Sequence, residues 1–217
     1  YFDNAKVFFL SGLNNYRIAR VMSEYTDNLV FVDPVLEHGI AKFFKTVADL
    51  ERYAENAHDL LKWIPGKRLS ESVVPLEVWN RHIVRKAMQS ANIIVVPHYG
   101  FFEYLEESTL EELGGKTVIT STAYDDRTDF LRERGVDVII DTTPKILERV
   151  VGANVLEALI IASIGRERNR IRADDLLEII STQKMDPRVV YPSGSPKRVN
   201  RFAFVIHPLS KEFLKKD

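Results

Sequence analysis

Short apolar runs alternate along this chain with longer segments in which apolar residues recur at helical spacing. Five runs of the strand type occupy residues 5–10, 28–32, 92–96, 116–121 and 136–141. Four consecutive apolar residues in the third run, 93–96, are typical of a strand that is buried on both faces. Strands separated in this way by helices predict an α/β fold with a parallel sheet.

The segments between the runs have the period of amphipathic helices. Residues 39–63 carry apolar side chains at steps of three and four, and further helices are predicted over 16–25, from Pro75, and over 125–134, 153–164 and 174–181. We therefore predict a Rossmann-like, doubly wound, mostly parallel sheet with helices on both faces. The expected strand order is 3-2-1-4-5.

The composition of the sequence changes after about residue 185, where proline, serine and glycine become frequent. Pro187, Pro192 and residues 193–198 are typical of a linker, and a last apolar run follows at 202–206. We predict a Rossmann-like domain over 1–185, then a linker and extra strand over 186–217. That strand either joins the sheet or opens a further domain, and because residue 1 is Tyr and not Met, we expect a piece of a larger protein.

Composition excludes several classes of function. The chain has 217 residues, 28% of them charged, a net charge of −1 and no cysteine. The charge balance disfavours nucleic acid as a partner, and the lack of cysteine excludes disulfides and thiolate chemistry. No apolar run reaches the roughly 18–20 residues that span a membrane. We expect a cytoplasmic protein without a metal, since His38, His58, His82 and His207 do not show metal-ligand spacing.

The loop after the first predicted strand is the first candidate site. In doubly wound sheets, ligands bind outside the carboxyl ends of the strands, where a helix N-terminus can hold phosphate. Ser11, Gly12, Leu13 and Asn14 are therefore predicted to contact the pyrophosphate of a dinucleotide. The loop lacks the full G-x-G-x-x-G motif, so a tight turn capped by Ser11 or Asn14 is the alternative.

Asp33 ends the second predicted strand, where a carboxylate can accept a hydrogen bond from an adenosine ribose. It would repel a 2′-phosphate, so it favours NAD over NADP as the cofactor. The alternative is that Asp33 and Pro34 only end the strand and begin a turn. If the ribose interpretation holds, Gly12 and Asp33 should flank one crevice.

Polar residues also follow the third, fourth and fifth predicted strands. Thr120, Thr142 and Pro144 are expected to line the nicotinamide side, although hydroxyl groups there also cap helices. His98 and Tyr99 are candidate catalytic residues facing a small-molecule substrate, because imidazole and phenol groups can move protons or position a carbonyl. The alternative for His98 is packing in a loop.

Two further residues precede or open the predicted helix 153–164. Asn154 either contacts the cofactor or caps this helix. Arg149 either holds a carboxylate or phosphate or forms a surface ion pair.

The segments 115–122 (GKTVITST) and 131–136 (LRERGV) resemble the C-terminal half of a bacterial family described as quinate/shikimate 5-dehydrogenase-like. So do Thr142-Thr143-Pro144, Arg149 and residues 152–158 (GANVLEA). A looser resemblance reaches back to the first strand and covers about 160 residues. It implies a Rossmann-type NAD(P)-binding domain.

The tail carries a second resemblance. Residues 201–210 (RFAFVIHPLS) are similar to the opening strand of predicted amino-acid dehydrogenases, which are themselves similar to acyl-carrier-protein reductases. This resemblance implies that the chain is the N-terminal part of a larger reductase. The lysine–aspartate catalytic pair of shikimate dehydrogenases is not placed in this sequence.

Together these observations predict the NAD(P)-binding domain of an oxidoreductase, a dehydrogenase or reductase, whose partners are a small-molecule substrate and either a second copy or an attached C-terminal domain. The alternative is a Rossmann-like module without cofactor that serves dimerisation or regulation of a larger reductase. A third interpretation is a binder of a sugar nucleotide or S-adenosylmethionine, since an acid after the second strand also suits their ribose.

Overall fold

A computed structural model describes residues 5–61, 74–97, 99–144, 153–166, 168–183 and 185–194. They contain a six-stranded sheet with the spatial order β2-β1-β3-β4-β5-β6. The strands are β1 (Val7–Phe9), β2 (Leu29–Phe31), β3 (Ile93–Val96), β4 (Thr117–Thr120), β5 (Val138–Pro144) and β6 (Pro187–Val190). The pairs from β2 to β5 are parallel, and β6 runs antiparallel to β5.

Helices connect these strands. They are α1 (Tyr16–Ser23), α2 (Asp33–His38), α3 (Val47–Leu61), α4 (Val74–Gln89), α5 (Tyr99–Glu106), α6 (Leu110–Leu113), α7 (Asp125–Glu133), α8 (Ala153–Ile164) and α9 (Ala173–Thr182). α2 ends at Gly39, whose φ of 70° is the left-handed conformation that glycine adopts readily. The predicted α/β alternation is thereby confirmed.

Two hydrophobic clusters cover opposite faces of the sheet, because alternate side chains of a strand point to opposite sides. Val7 and Phe9 of β1 pack with α1 and α3, through residues such as Ala19 and Leu50. Phe8, between them, belongs to the other cluster, which includes residues of α2, α4, α5, α6 and α7. The structure therefore has helices on both faces of a mostly parallel sheet, as predicted.

The strand order differs from the predicted 3-2-1-4-5. The parallel strands follow the other common doubly wound order, 2-1-3-4-5, in which β3 crosses to the far side of β1. The four residues of β3 are all fully buried, which a central strand requires and an edge strand does not. In both orders, the direction in which successive strands are added to the sheet reverses beside β1. The candidate site is therefore still expected at the carboxyl end of that strand.

The sheet extends beyond the predicted boundary at residue 185. Residues 187–190, predicted as part of a linker, form β6, and Val189 and Val190 pair with Ile140 and Ile139 of β5. Proline is compatible with this place because β6 is an edge strand and Pro187 is its first residue. The domain assignment of residues 195–217, including the run 202–206, lies outside the described residues and stays a prediction.

Candidate functional site

The loop after β1 is fastened to the first residue of α2 by a set of buried hydrogen bonds. The Asp33 carboxylate accepts from the Ser11 hydroxyl at 3.1 Å, from the Gly12 N–H at 2.9 Å and from the Leu13 N–H at 3.0 Å. We call these four residues the Asp33 cluster. Asp33 and Ser11 are fully buried. The fold therefore brings Asp33 into direct contact with the loop that follows β1.

The chemistry of this contact differs from the predicted one. Asp33 was expected to face a ribose across a crevice, yet its carboxylate directly contacts the backbone of Gly12 and has no accessible surface. No crevice separates the two groups, because the carboxylate is occupied by the loop, and the contact of Asp33 with a ribose stays a prediction. The reason is electrostatic, because successive N–H groups before a helix attract an anion and the carboxylate of the chain itself satisfies them.

Burial affects the protonation of this carboxyl. Removal from water raises the pKa of Asp33 above its ordinary value, and the hydrogen bonds from Leu13, Gly12 and Ser11 offset part of that rise. Two Asp33 oxygens receive three donors, so the side chain holds the loop in one conformation. The Asp33 cluster therefore fixes the conformation of the loop after β1.

Gly12 is needed here for close packing within the chain. A Cβ atom at this position would lie 2.5 Å from Cδ1 of Phe31 and 2.7 Å from Cδ2 of Leu50. Both neighbours are fully buried. The space in the Cβ direction of Gly12 is filled by these side chains, so a larger residue does not fit at this position, and the pyrophosphate contact of Gly12 stays a prediction.

The start of α1 has a different character. Asn14 is exposed, and its side-chain amide donates to the Ser11 hydroxyl at 3.0 Å. Asn15 occupies the N-cap position without a capping hydrogen bond from its side chain, which instead donates to the Ser11 carbonyl. The first turn of α1 contains no acidic residue and carries the exposed Arg17. An uncapped first turn of this kind can donate N–H groups to an anion.

The hydroxyl groups after β4 and β5 hydrogen-bond to one another and to the backbone. The Thr120 and Thr122 hydroxyls lie 3.2 Å apart, Ser121 donates to the Pro97 carbonyl, and Thr143 donates to the Ser121 carbonyl. Thr142 is exposed at this edge. Thr120 and Pro144 are buried, so of the three residues predicted to line the nicotinamide side only Thr142 faces solvent.

Two arginines that the sequence analysis did not single out join the same edge. Arg127 of α7 is buried and donates to the carbonyl and hydroxyl of Thr122, and its guanidinium lies 4.4 Å from the centre of the Phe102 ring. Arg188 of β6 donates to the buried Asp141 carboxylate at 3.1 Å and to the Ala123 carbonyl at 2.8 Å. These contacts stiffen the loop between β4 and α7. Nothing in the local sequence separates them from surface arginines.

A second buried polar contact, between Tyr53 and His38, joins α3 to α2. The Tyr53 hydroxyl hydrogen-bonds to Nδ1 of His38 and lies 3.5 Å from the Glu37 carboxylate. Burial raises the pKa of Tyr53 and lowers the pKa of His38, and the negative charges of Glu37 and Asp33 raise the pKa of Tyr53 further. Both groups are therefore held neutral near neutral pH. Fifteen residues separate them, and no motif could have joined them.

Several predicted site residues fall outside what the structure describes. His98 and Arg149 lie outside the described residues. Tyr99 begins α5 and Asn154 is the second residue of α8, but their side chains are not described. The catalytic roles of His98 and Tyr99 and the cofactor contact of Asn154 stay predictions.

The described residues contain neither a candidate metal-binding cluster nor a membrane-spanning helix. Within them, no group of three or more histidine or acidic side chains is placed to hold a metal ion. Likewise, none of the helices in the described part of the chain is long and apolar enough to cross a membrane.

Comparison with known proteins gives a family without an assigned activity. A family model described as "Domain of unknown function (DUF8754)" matches residues 1–192. No curated protein and no solved structure matches the chain. The two dehydrogenase resemblances stay predictions.

Proposed function

The chain belongs to the family described as a domain of unknown function (DUF8754), and we propose that it binds a nicotinamide dinucleotide for an oxidoreductase. The observation that carries this proposal is the start of α1. It follows β1 at the point where the strand order reverses, the side chain of its N-cap residue Asn15 makes no capping hydrogen bond, and its first turn has no acid. The phosphates of the ligand bind the N–H groups of this turn, beside Arg17, instead of the loop at Gly12.

The Asp33 cluster supports this binding mode indirectly. By holding residues 11–13, Asp33 fixes the direction in which α1 leaves the sheet. The exposed Thr142 at the end of β5 supplies a neutral polar group for the other half of the ligand. The cofactor supplies hydride transfer when it is bound, while the residues of this chain bind and orient it.

Titration with NAD, NADH, NADP and NADPH tests the proposal. A ligand present at about 100 times its Kd adds roughly 2.7 kcal/mol to the free energy of unfolding, which thermal shift detects readily. We expect such a shift with at least one of the four dinucleotides. If none of the four dinucleotides raises the melting temperature, and calorimetry also detects no binding, the proposal is refuted.

A pair of variants on one helix tests the position of the phosphates. Arg17 and Arg20 are both exposed on α1, Arg17 in its first turn and Arg20 in its last. We expect Arg17→Glu to weaken dinucleotide binding by about tenfold, since it places an acid beside the phosphates, and Arg20→Glu to leave binding nearly unchanged. Equal losses from the two variants would refute this position.

A second candidate function rests on Asp33 itself. The carboxylate occupies backbone donors that hold phosphate in dinucleotide-binding domains, which favours a module without cofactor that serves dimerisation or regulation of a reductase. The same titration distinguishes the two candidates, because this module would respond to none of the dinucleotides. Adding a sugar nucleotide and S-adenosylmethionine to the titration tests the third interpretation.

A further inference from the structure

The outer surface of α4 is basic along one side. Arg81, His82, Arg85 and Lys86 line a groove of about 430 Å³ together with Val78, Gln89 and Glu112 of α6. His82 and Lys86 are exposed. Lys86 has no ion-pair partner among the described residues. We call Arg81, His82, Arg85 and Lys86 the basic strip.

An acidic strip lies on α5, on α6 and in the segment between these helices. Glu103, Glu106, Glu107 and Glu111 are all exposed, and we use this name for these four residues. Its residue Glu107 contacts Arg81 of the basic strip.

Two ion pairs mark the boundary between the strips. Arg81 donates to both oxygens of Glu107 at 2.7 and 2.9 Å, and Arg85 donates to Glu112 with two hydrogen bonds of 3.0 Å. The Arg85–Glu112 contact lowers the pKa of Glu112 and raises that of Arg85. Because both pairs bridge from α4 to the α5–α6 side, the basic and acidic strips have a fixed order on one surface.

Large apolar side chains are exposed on α4 and at the start of α6. Trp79 of α4 is 56% exposed, Val78 is 63% exposed and Leu110 of α6 is 59% exposed. The Trp79 ring lies 6.1 Å from that of His82, a residue of the basic strip. Exposed tryptophan next to charged groups is typical of the centre of a protein–protein interface.

We propose that this surface is the interface between two copies of this chain. A two-fold axis along the boundary of the strips places the basic strip of each copy over the acidic strip of the other, so one surface is complementary to itself. Trp79, Val78 and Leu110 supply the apolar area that the pairing buries. This inference does not depend on the proposed cofactor, since α4 packs on the face of the sheet opposite α1.

Complementary charge reversal tests the interface. One variant, His82→Glu/Lys86→Glu, leaves two acidic and two basic residues in the basic strip, and the other, Glu103→Lys/Glu106→Lys, does the same in the acidic strip. None of the four side chains belongs to the two ion pairs of the boundary. Sedimentation velocity should show a dimer for the wild-type chain and a Kd raised by at least about tenfold for each variant alone.

The decisive sample is the equimolar mixture of the two variants. The unchanged acidic strip of one variant then faces the unchanged basic strip of the other, and the introduced Glu residues face the introduced Lys residues. The mixture should therefore form heterodimers more tightly than either variant dimerises with itself. This recovery also shows that both variants are folded. The control Arg20→Glu/Lys45→Glu reverses two exposed cations of segments that pack on the other face of the sheet and should dimerise like the wild type.

Three results would overturn the inference. They are a wild-type chain that stays monomeric at roughly 100 μM, variants that dimerise as well as the wild type, and a mixture that does not recover the dimer. Raising the salt concentration should weaken the wild-type dimer, because the facing charges are screened within a Debye length of about 8–10 Å.

Discussion

Replacing Asp33 with alanine is expected to lower the free energy of unfolding by about 3–5 kcal/mol. The substitution removes the acceptor of three hydrogen bonds and leaves the N–H groups of Gly12 and Leu13 without a partner in a buried place. Urea denaturation followed by circular dichroism measures the loss. Asp27→Ala is the matched control, because Asp27 is exposed and should change stability by less than about 0.5 kcal/mol.

The same carboxyl gives a prediction with a defined sign in pH. Its pKa is raised in the folded chain above the ordinary value of 3.8, so the folded chain binds the proton more tightly than the unfolded chain. The stability gained in this way is complete below pH 3.8 and is lost as the pH rises through the folded-state pKa. The stability of the wild type relative to Asp33→Asn should therefore fall as the pH rises from 3.8. A difference that grows with pH would contradict the cause assigned to the shift.

The sequence predicted the strands well where side chains are apolar on both faces. Residues 93–96 form β3 as expected, because a fully apolar run of that length has few other places in an α/β fold. It did not predict β6, since Pro187 and the surrounding prolines are typical of a loop, and only pairing with β5 makes the segment a strand. The strand order was also wrong, because the path of a crossover depends on long-range packing that no local pattern records.

For the candidate site too, the sequence indicates where the residues lie but not how their side chains are oriented. The sequence placed Ser11, Gly12 and Asp33 after β1 and β2 and predicted that Gly12 and Asp33 flank a crevice, whereas the structure joins them by direct hydrogen bonds. Which way the Asp33 carboxylate points depends on which donors are free around it, and this is decided by the tertiary structure. The contact of Tyr53 with His38 joins α3 to α2 without any repeated spacing, so the sequence contained no signal for it.

Gly12→Ala is expected to destabilise the chain by about 1–3 kcal/mol, because the new methyl group overlaps Phe31 and Leu50. The loop has little freedom to move away, since Asp33 holds the N–H of Gly12 itself. The loss is measured by urea denaturation. Glycine at this turn therefore serves the packing of β1 against α3 and β2, whether or not a ligand binds nearby.

A double-mutant cycle with Leu50 separates this overlap from other effects of the substitution. Leu50→Ala alone should cost about 2–5 kcal/mol, because Leu50 is fully buried. It also removes Cδ2, one of the two atoms that a methyl group introduced at position 12 would meet at less than 3.0 Å. The combined loss in Gly12→Ala/Leu50→Ala should then be smaller than the sum of the single losses by at least about 1 kcal/mol. Additive losses would show that contact with Leu50 does not set the cost of the methyl group, and the overlap with Cδ1 of Phe31, which is the closer atom, would then account for it.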